Sequence, residues 1–292
     1  MSDSPPRAKR FPLSLHQLGT APKGSAGPAG AGKASAAPAV APASAREPLK
    51  PQGHWQQAAA LKARTLPPSG LGLDSAGVRQ RMVQRLRREG LSDERVLNAL
   101  ATVPRHEFVD TALAIQAYED TSLPIGHGQT ISKPSVVGRM MALMLAAPGA
   151  QARGDLGKVL EIGTGCGYQA ALLMQVARHV VSVERLKPLH DKASGHLVGY
   201  NRVRLVYGDG MLGHGPSAPY DSIISAAGGD DIPQAWLDQL APGGRLVAPM
   251  TAPSGRGQVL VLIDHLRDAQ GSRFVRSLHE PVLFVPLKSG VM

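Results

Sequence analysis

The stretch Lys158 to Tyr168, KVLEIGTGCGY, most restricts what this chain can become. An apolar run of Val159, Leu160 and Ile162, broken by Glu161, gives way to Gly163, Gly165 and Gly167 at alternate positions. An Ala-, Leu-, Met- and Gln-rich segment then runs from Tyr168 to Arg178. A buried strand that breaks into glycines and restarts as a helix has the form of a nucleotide-binding turn. Glycine is needed there because the turn uses positive φ and its backbone must come close to a ligand. The next strand, Val180 to Val183, leads into Glu184, roughly 20 residues beyond Gly163, where an acceptor for ribose hydroxyls belongs. A glycine-rich turn that holds no ligand is the bland alternative.

Alternation continues downstream. Strands are expected at Val203 to Tyr207, Ser222 to Ser225 and Arg245 to Pro249, with helices around 188–198 and 233–240 and a turn at Ala241-Pro242-Gly243-Gly244. That rhythm implies a parallel sheet with helices on both faces. It then changes: Gln258 to Asp264 and Phe274 to Val285 read as two long strands of an antiparallel hairpin on the sheet edge. The expected fold is α/β, a doubly wound, mostly parallel seven-stranded sheet with a C-terminal antiparallel hairpin. Such folds bind ligands outside the carboxyl ends of their strands. Gly163 to Gly167, Glu184, Asp209 and Ser225 to Gly228 all fall at those ends.

Upstream, Val78, Met82 and Leu86 give helical spacing that closes at Gly90. Ser92 is the expected cap of a second helix carrying Val96, Leu97 and Leu100, ended by Pro104. Phe108 to Tyr118 suggests a further helical piece. Leu123 to Ser135, LPIGHGQTISKPS, reads as a polar, glycine-punctuated loop without regular period, followed by a helix from Pro134 to Ala146. Ser132 has two compatible readings, a cap for that helix and a hydroxyl at the mouth of a site; sequence alone favours the cap. His127 reads as a loop residue rather than a base.

Residues 1–74 are expected to be a disordered basic tail and 75–292 the folded domain. Eleven of the 24 prolines lie in the first 70 residues, among Ala, Gly and Ser, with too few large apolar side chains to offset the entropy of ordering. The tail is Ser-rich and acid-poor like a transit peptide, but its Pro and Gly argue against an amphipathic helix. Of the net +10, the first 75 residues supply nine basic groups against three acidic ones, so much of the basicity belongs to a solvated tail. No specific nucleic acid or membrane partner is expected, since no apolar run approaches a membrane span. The single cysteine, Cys166, excludes an internal disulfide and reads as a small residue filling the turn. The expected setting is cytoplasmic and the expected assembly a monomer. With no Cys/His cluster, no metal is expected.

Counted from Gly163, the sixth position is Tyr168 rather than glycine. The spacing therefore departs from the dinucleotide fingerprint and approaches that of S-adenosylmethionine enzymes. Together these segments resemble the class I S-adenosylmethionine-dependent methyltransferases, and more closely the protein-L-isoaspartate O-methyltransferase family. The resemblance covers about Ser75 to Lys288. Its most specific piece is LPIGHGQTIS (123–132), supported in order by VPRHEFVD (103–110), VLEIGTGCGYQ (159–169), VVSVER (180–185), GDG (208–210), LAPGGRLVAP (240–249) and FVPL (284–287).

The resemblance implies S-adenosylmethionine as methyl donor, S-adenosylhomocysteine as product, and isoaspartyl (and D-aspartyl) residues of damaged proteins as acceptors. It implies that Gly163, Thr164 and Gly165 hold the methionine end of the cofactor, that Glu184 takes the ribose, and that Asp209 and Gly210 lie against the adenine. Ser132 matches the family's active-site serine, and Ile131 and Val285 match its substrate-binding positions. Leu283 stands where the family usually has Arg, and Gly228 where it often has Pro.

The implied chemistry needs little of the protein. An isoaspartyl carboxylate, with a pKa near 4, is already ionised at neutral pH and is itself the nucleophile. Alignment with the methyl remains, and positioning is worth up to about 7–11 kcal/mol in favourable cases. Ser132 would orient the carboxylate rather than attack. A methyltransferase acting on RNA or a small molecule is the first rival. A non-catalytic cofactor-binding module using the basic tail is the second.

Overall fold

The computed structural model describes residues 76–269 and 271–292; the expected tail lies outside the described residues. The main sheet has strands β3 (Lys158–Ile162), β4 (His179–Glu184), β5 (Val203–Tyr207), β6 (Tyr220–Ser225), β7 (Leu240–Thr251), β8 (Gln258–Asp268) and β9 (Gly271–Val282). Its order is β5-β4-β3-β6-β7-β8-β9. The five strands from β5 to β7 run parallel, and β8 and β9 add antiparallel at the edge. The chain leaves β3 to one side for β4 and returns on the other side for β6. That switch of direction opens a crevice at the carboxyl end of β3.

Helices α1 (Ala76–Arg88), α2 (Glu94–Thr102), α3 (Pro134–Leu145), α4 (Pro148–Arg153), α5 (Tyr168–Val176), α6 (Lys187–His196) and α7 (Gln234–Gln239) cover the sheet. β3 is buried along almost its whole length, as a central parallel strand between two helical layers must be. Its side chains alternate between layers: Val159 joins one apolar cluster with α1, α2, α3 and α5, while Leu160 and Ile162 join the other with Trp236 of α7. By the same alternation Glu161 faces the first cluster and is fully buried.

Several expectations are corrected. The cap of α2 is Asp93, not Ser92; its carboxylate accepts from the Arg95 amide at 3.0 Å. Two adjacent residues could serve, and the acidic one also complements the helix dipole. The helical piece at 108–118 is two 3₁₀ turns, Arg105–Phe108 and Thr111–Gln116, and Ile115 within it is exposed. The segment 123–131 is an antiparallel hairpin of β1 (Leu123–Gly126) and β2 (Gln129–Ile131). It turns at His127 and Gly128, both at positive φ, with Leu123, Ile125 and Ile131 facing inward.

The Ala241–Gly244 turn lies within β7 as an irregularity, with Tyr220 opposite Leu240 and then Ser222 opposite Arg245. β9 ends at Val282 rather than Val285. The chain beyond it leaves the sheet because the Gly228 amide donates to Val285 O and the Leu287 amide to Gly228 O, both at 2.8 Å. The short helix α4 is an element the sequence reading lacks.

Candidate active site

The crevice at the end of β3 holds a cavity of about 350 Å³. Ile131, Ser132, Gly163, Thr164, Gly165, Glu184, Gly210 and Val285 all line it, eight of the nine residues singled out from the sequence. They arrive from five places in the chain: the end of β2, the β3–α5 turn, the end of β4, the segment after β5, and the stretch after β9. Asp209 is the ninth and does not line the cavity. Its carboxylate accepts from the Met211 amide at 2.9 Å and from the Gly290 amide at 2.6 Å, so it shapes the wall formed by Gly210 and the last residues of the chain.

The turn and Glu184 are built as one unit. Gly163 continues the β3–β4 ladder by donating to Val183 O at 2.9 Å. Gly165, at φ +57°, donates its amide to Glu184 Oε2 at 2.8 Å, and the Leu186 amide donates to Oε1 at 2.9 Å. Glu184 is only 4% exposed, so these two amides orient its carboxylate before any ligand arrives. A side chain at Gly165 would crowd Ile125 of β1 and would oppose the left-handed backbone.

Beneath the turn lies a polar network that the sequence reading did not assign. Thr164 Oγ1 and Ser182 Oγ are 2.5 Å apart, and Ser182 Oγ donates to Glu161 Oε2 at 2.5 Å. Glu161 and Ser182 are register partners on β3 and β4, so their side chains share one face. Burial pushes the Glu161 carboxyl up to about 8; the Ser182 and Gln169 contacts offset part of that rise, and the neighbouring Glu184 charge adds to it. The Gln169 amide stands beside Glu161 without hydrogen-bond geometry. Among the described residues, Glu161 Oε1 and both polar atoms of Gln169 have no hydrogen-bond partner. Gln169 lines the cavity and is 7% exposed.

Buried polar atoms are almost always hydrogen-bonded, so a buried, unpartnered amide on a cavity wall marks a place for a polar ligand group. Both of its functions, donor and acceptor, match the amino-acid end of S-adenosylmethionine, and the Glu184 carboxylate matches ribose hydroxyls. The residues present therefore fit the cofactor that the resemblance implies. The readable signal was the pair of polar residues interrupting two adjacent apolar strands, VLEI and VVSV.

Ser132 is half-buried, and among the described residues its hydroxyl takes part in no hydrogen bond. It does not cap α3. The cap position is Lys133, which makes no side-chain bond, and the helix amide at Ser135 is taken by Asp120 from outside the helix. His127 is exposed at the cavity mouth. The Cys166 thiol is 2% exposed and burial raises its pKa, which leaves it a filler rather than a nucleophile.

Behind the cavity wall, Arg105 is fully buried and lies over the Tyr168 ring at 4.9 Å, with its Nε donating to Ala117 O at 2.8 Å. Desolvation lowers the Arg105 pKa and pushes the Tyr168 hydroxyl up to about 12. Among the described residues no three His, Cys, Asp or Glu side chains cluster as metal ligands, and no helix is long and apolar enough to cross a membrane.

The family model for protein-L-isoaspartate(D-aspartate) O-methyltransferase matches residues 77–292. A protein-L-isoaspartate O-methyltransferase of Methylibium petroleiphilum is 59% identical over 285 residues, covering 97% of each chain. One of Leptothrix cholodnii is 53% identical, covering 99% of this chain and 98% of its own. A solved protein-L-isoaspartate O-methyltransferase superimposes with a TM-score of 0.62 at 28% identity, over 73% of this chain and 67% of that one. A Plasmodium falciparum structure described as a putative protein-L-isoaspartate O-methyltransferase in complex with S-adenosyl-L-homocysteine shares the fold. Its TM-score is 0.60 at 21% identity, over 72% of this chain and 98% of that one.

Proposed function

This chain belongs to the protein-L-isoaspartate(D-aspartate) O-methyltransferase family. From that premise we propose that it methylates the free carboxylate of isoaspartyl and D-aspartyl residues in damaged proteins, with Ser132 orienting the acceptor. The observation that carries this reading is the Ser132 hydroxyl, without a hydrogen-bond partner among the described residues, on the same cavity as the Gly163–Gly165 turn and Glu184. The enzyme is S-adenosylmethionine-dependent, and the cofactor supplies a methyl group made electrophilic by the adjoining sulfonium.

The chain's own residues divide the work. Gly163, Thr164 and Gly165 give backbone contacts at the methionine end, with the Gln169 amide alongside. Glu184, already held by two amides, accepts from ribose hydroxyls. Gly210 forms the wall for the adenine, and Asp209 supports that wall through Met211 and Gly290 rather than touching the base. Ile131 and Val285 flank the acceptor and keep water from it. Ser132 donates to one carboxylate oxygen and so directs the other towards the turn. No general base is required, because the acceptor is ionised at neutral pH.

The resulting methyl ester is open to attack by the following backbone nitrogen. That attack expels methanol and forms a succinimide, whose hydrolysis returns part of the chain to normal aspartyl linkage. Residues 75–292 constitute the catalytic domain, working as a monomer in the cytoplasm, and residues 1–74 are dispensable for the chemistry.

Incubation with methyl-labelled cofactor and paired aspartyl and isoaspartyl peptides tests the reading; label on the isoaspartyl peptide alone is expected. Equal label on both, or on neither, overturns it. Ser132→Ala lowers kcat by about 10²-fold, as loss of an orienting donor does elsewhere, while cofactor Kd stays within twofold. Full turnover by this variant removes Ser132 from the mechanism.

A further inference from the structure

Helix α3 follows directly on Ser132, yet it lacks a cap of its own. Asp120, 15 residues before Ser135, supplies one from a separate segment: Oδ1 accepts from the Ser135 amide at 2.8 Å and Oδ2 from the Ser135 hydroxyl at 2.7 Å. On the other side of Ser132, Ile131 is the register partner of Leu123 and is 5% exposed. Ser132 therefore sits on a short bridge, Ser132-Lys133-Pro134, whose two ends are both fixed by one stretch, Asp120 to Leu123.

That stretch is itself anchored to the buried side of the protein. Arg105 donates to Ala117 O at 2.8 Å and to Thr121 O at 3.4 Å, one on each side of Asp120, and Arg85 donates to Tyr118 O at 2.9 Å. Arg105 also stacks on Tyr168, the first residue of α5 and part of the cavity wall. The backbone on either side of Asp120 is thus tied to the same buried guanidinium that packs on Tyr168, where the glycine turn passes into α5.

We infer that Asp120 is a positioning residue for methyl transfer: by clamping Ser135 it fixes where the Ser132 hydroxyl stands relative to the Gly163–Gly165 turn. This inference rests on the Ser132 reading above. A two-point clamp suits the task, because a hydroxyl that orients one carboxylate oxygen must be held to a fraction of an ångström, and misplacement by about 1 Å can cost about 10²-fold in rate. A bond to the Ser135 amide alone leaves the bridge free to rotate about it; the second bond to the hydroxyl removes that rotation.

The test is a double-mutant cycle on an isoaspartyl peptide with wild type, Ser132→Ala, Asp120→Ala and the double variant. Asp120→Ala is expected to lower kcat by about 10- to 100-fold with cofactor Kd within twofold. The double variant is expected to lie within about threefold of Ser132→Ala alone, because a clamp has nothing left to position once the hydroxyl is gone. Asp120→Asn, which can accept from the Ser135 amide and donate to its hydroxyl, is expected to recover most of the lost kcat.

Ser135→Ala removes only the hydroxyl half of the clamp. It gives a smaller loss of kcat in the same direction, and keeps the inference testable if Asp120→Ala does not fold. Unchanged kcat in Asp120→Ala, or in Ser135→Ala where that variant replaces it, overturns the inference. So does a double variant whose loss is the product of the two single losses, the signature of a structural role. Full activity of Ser132→Ala is a different failure, read in that single variant, and removes the underlying reading itself.

Discussion

Replacing Glu161 by glutamine should make the free protein more stable at neutral pH, although it alters a residue directly beneath the cofactor turn. Below the ordinary carboxyl value of 4.5 Glu161 is protonated in both folded and unfolded chains and adds no pH dependence. Between 4.5 and about 8 the unfolded chain releases the proton and the folded one keeps it, so stability falls as pH rises. The slope is one proton's worth, about 1.4 kcal/mol per pH unit, which amounts to roughly 3 kcal/mol at pH 7 and levels off above about pH 8. A glutamine keeps an acceptor for the Ser182 hydroxyl and carries no charge to desolvate at any pH.

The variant should therefore exceed wild type by about 3 kcal/mol at pH 7. For a domain of this size that is a melting temperature higher by roughly 6–12 °C. At pH 4.5 the two should nearly coincide. Urea unfolding of both proteins from pH 5 to pH 8.5 reads this directly. Parallel stability curves across that range would show that Glu161 is not the titrating group and that the argument from its burial is wrong.

Three further outcomes follow from the site. Glu184→Gln should weaken cofactor binding by about 10- to 100-fold by calorimetry, because charge-assisted hydrogen bonds are lost at an acceptor that also holds the turn; a Kd within twofold would remove Glu184 from the ribose site. Gly210→Ala places a methyl 2.6 Å from Ile162 Cγ2, against a packed core strand. It should cost about 1–3 kcal/mol and weaken cofactor binding, and wild-type melting and affinity would show the wall to be looser than drawn. Deleting residues 1–74 should leave kcat on an isoaspartyl peptide within twofold, and a larger loss would give the basic tail a part in catalysis.

What the sequence displayed well was whatever is encoded locally. The β3 strand, the glycine turn, α5 and the acidic end of β4 are contiguous, and each step constrains the next, so Gly163, Gly165 and Glu184 were legible from spacing. The hairpin at 123–131 was not, because its strands are four and three residues long, one contains Pro124, and its turn uses a histidine in the left-handed region. The inward alternation of Leu123, Ile125 and Ile131 was the available sign. Ser132 was weighed as a cap because the local rule favours Ser ahead of a proline-started helix. The rule failed because Asp120 supplies the cap across the fold, a contact that no window around Ser132 contains. The surroundings of Asp209 were hidden for the same reason, its second oxygen being taken by Gly290, 81 residues on.

These failures cluster where the fold gives up stability for the site. A natural core satisfies its polar groups, yet Glu161 and Gln169 sit buried beneath the turn with unpartnered atoms, and Glu161 must hold a proton to remain there at neutral pH. Violations of this kind concentrate at functional positions. Gly228 shows the converse. The family often places proline there, but in this chain the Gly228 amide binds Val285 O, a bond that proline cannot make. The departure is thus read by the structure as a tie that holds the Val285 segment against the cavity. Of the two residues that looked least regular in sequence, the acid inside an apolar strand underlies the glycine turn, and the glycine in place of proline ties the distant Val285 segment to the cavity.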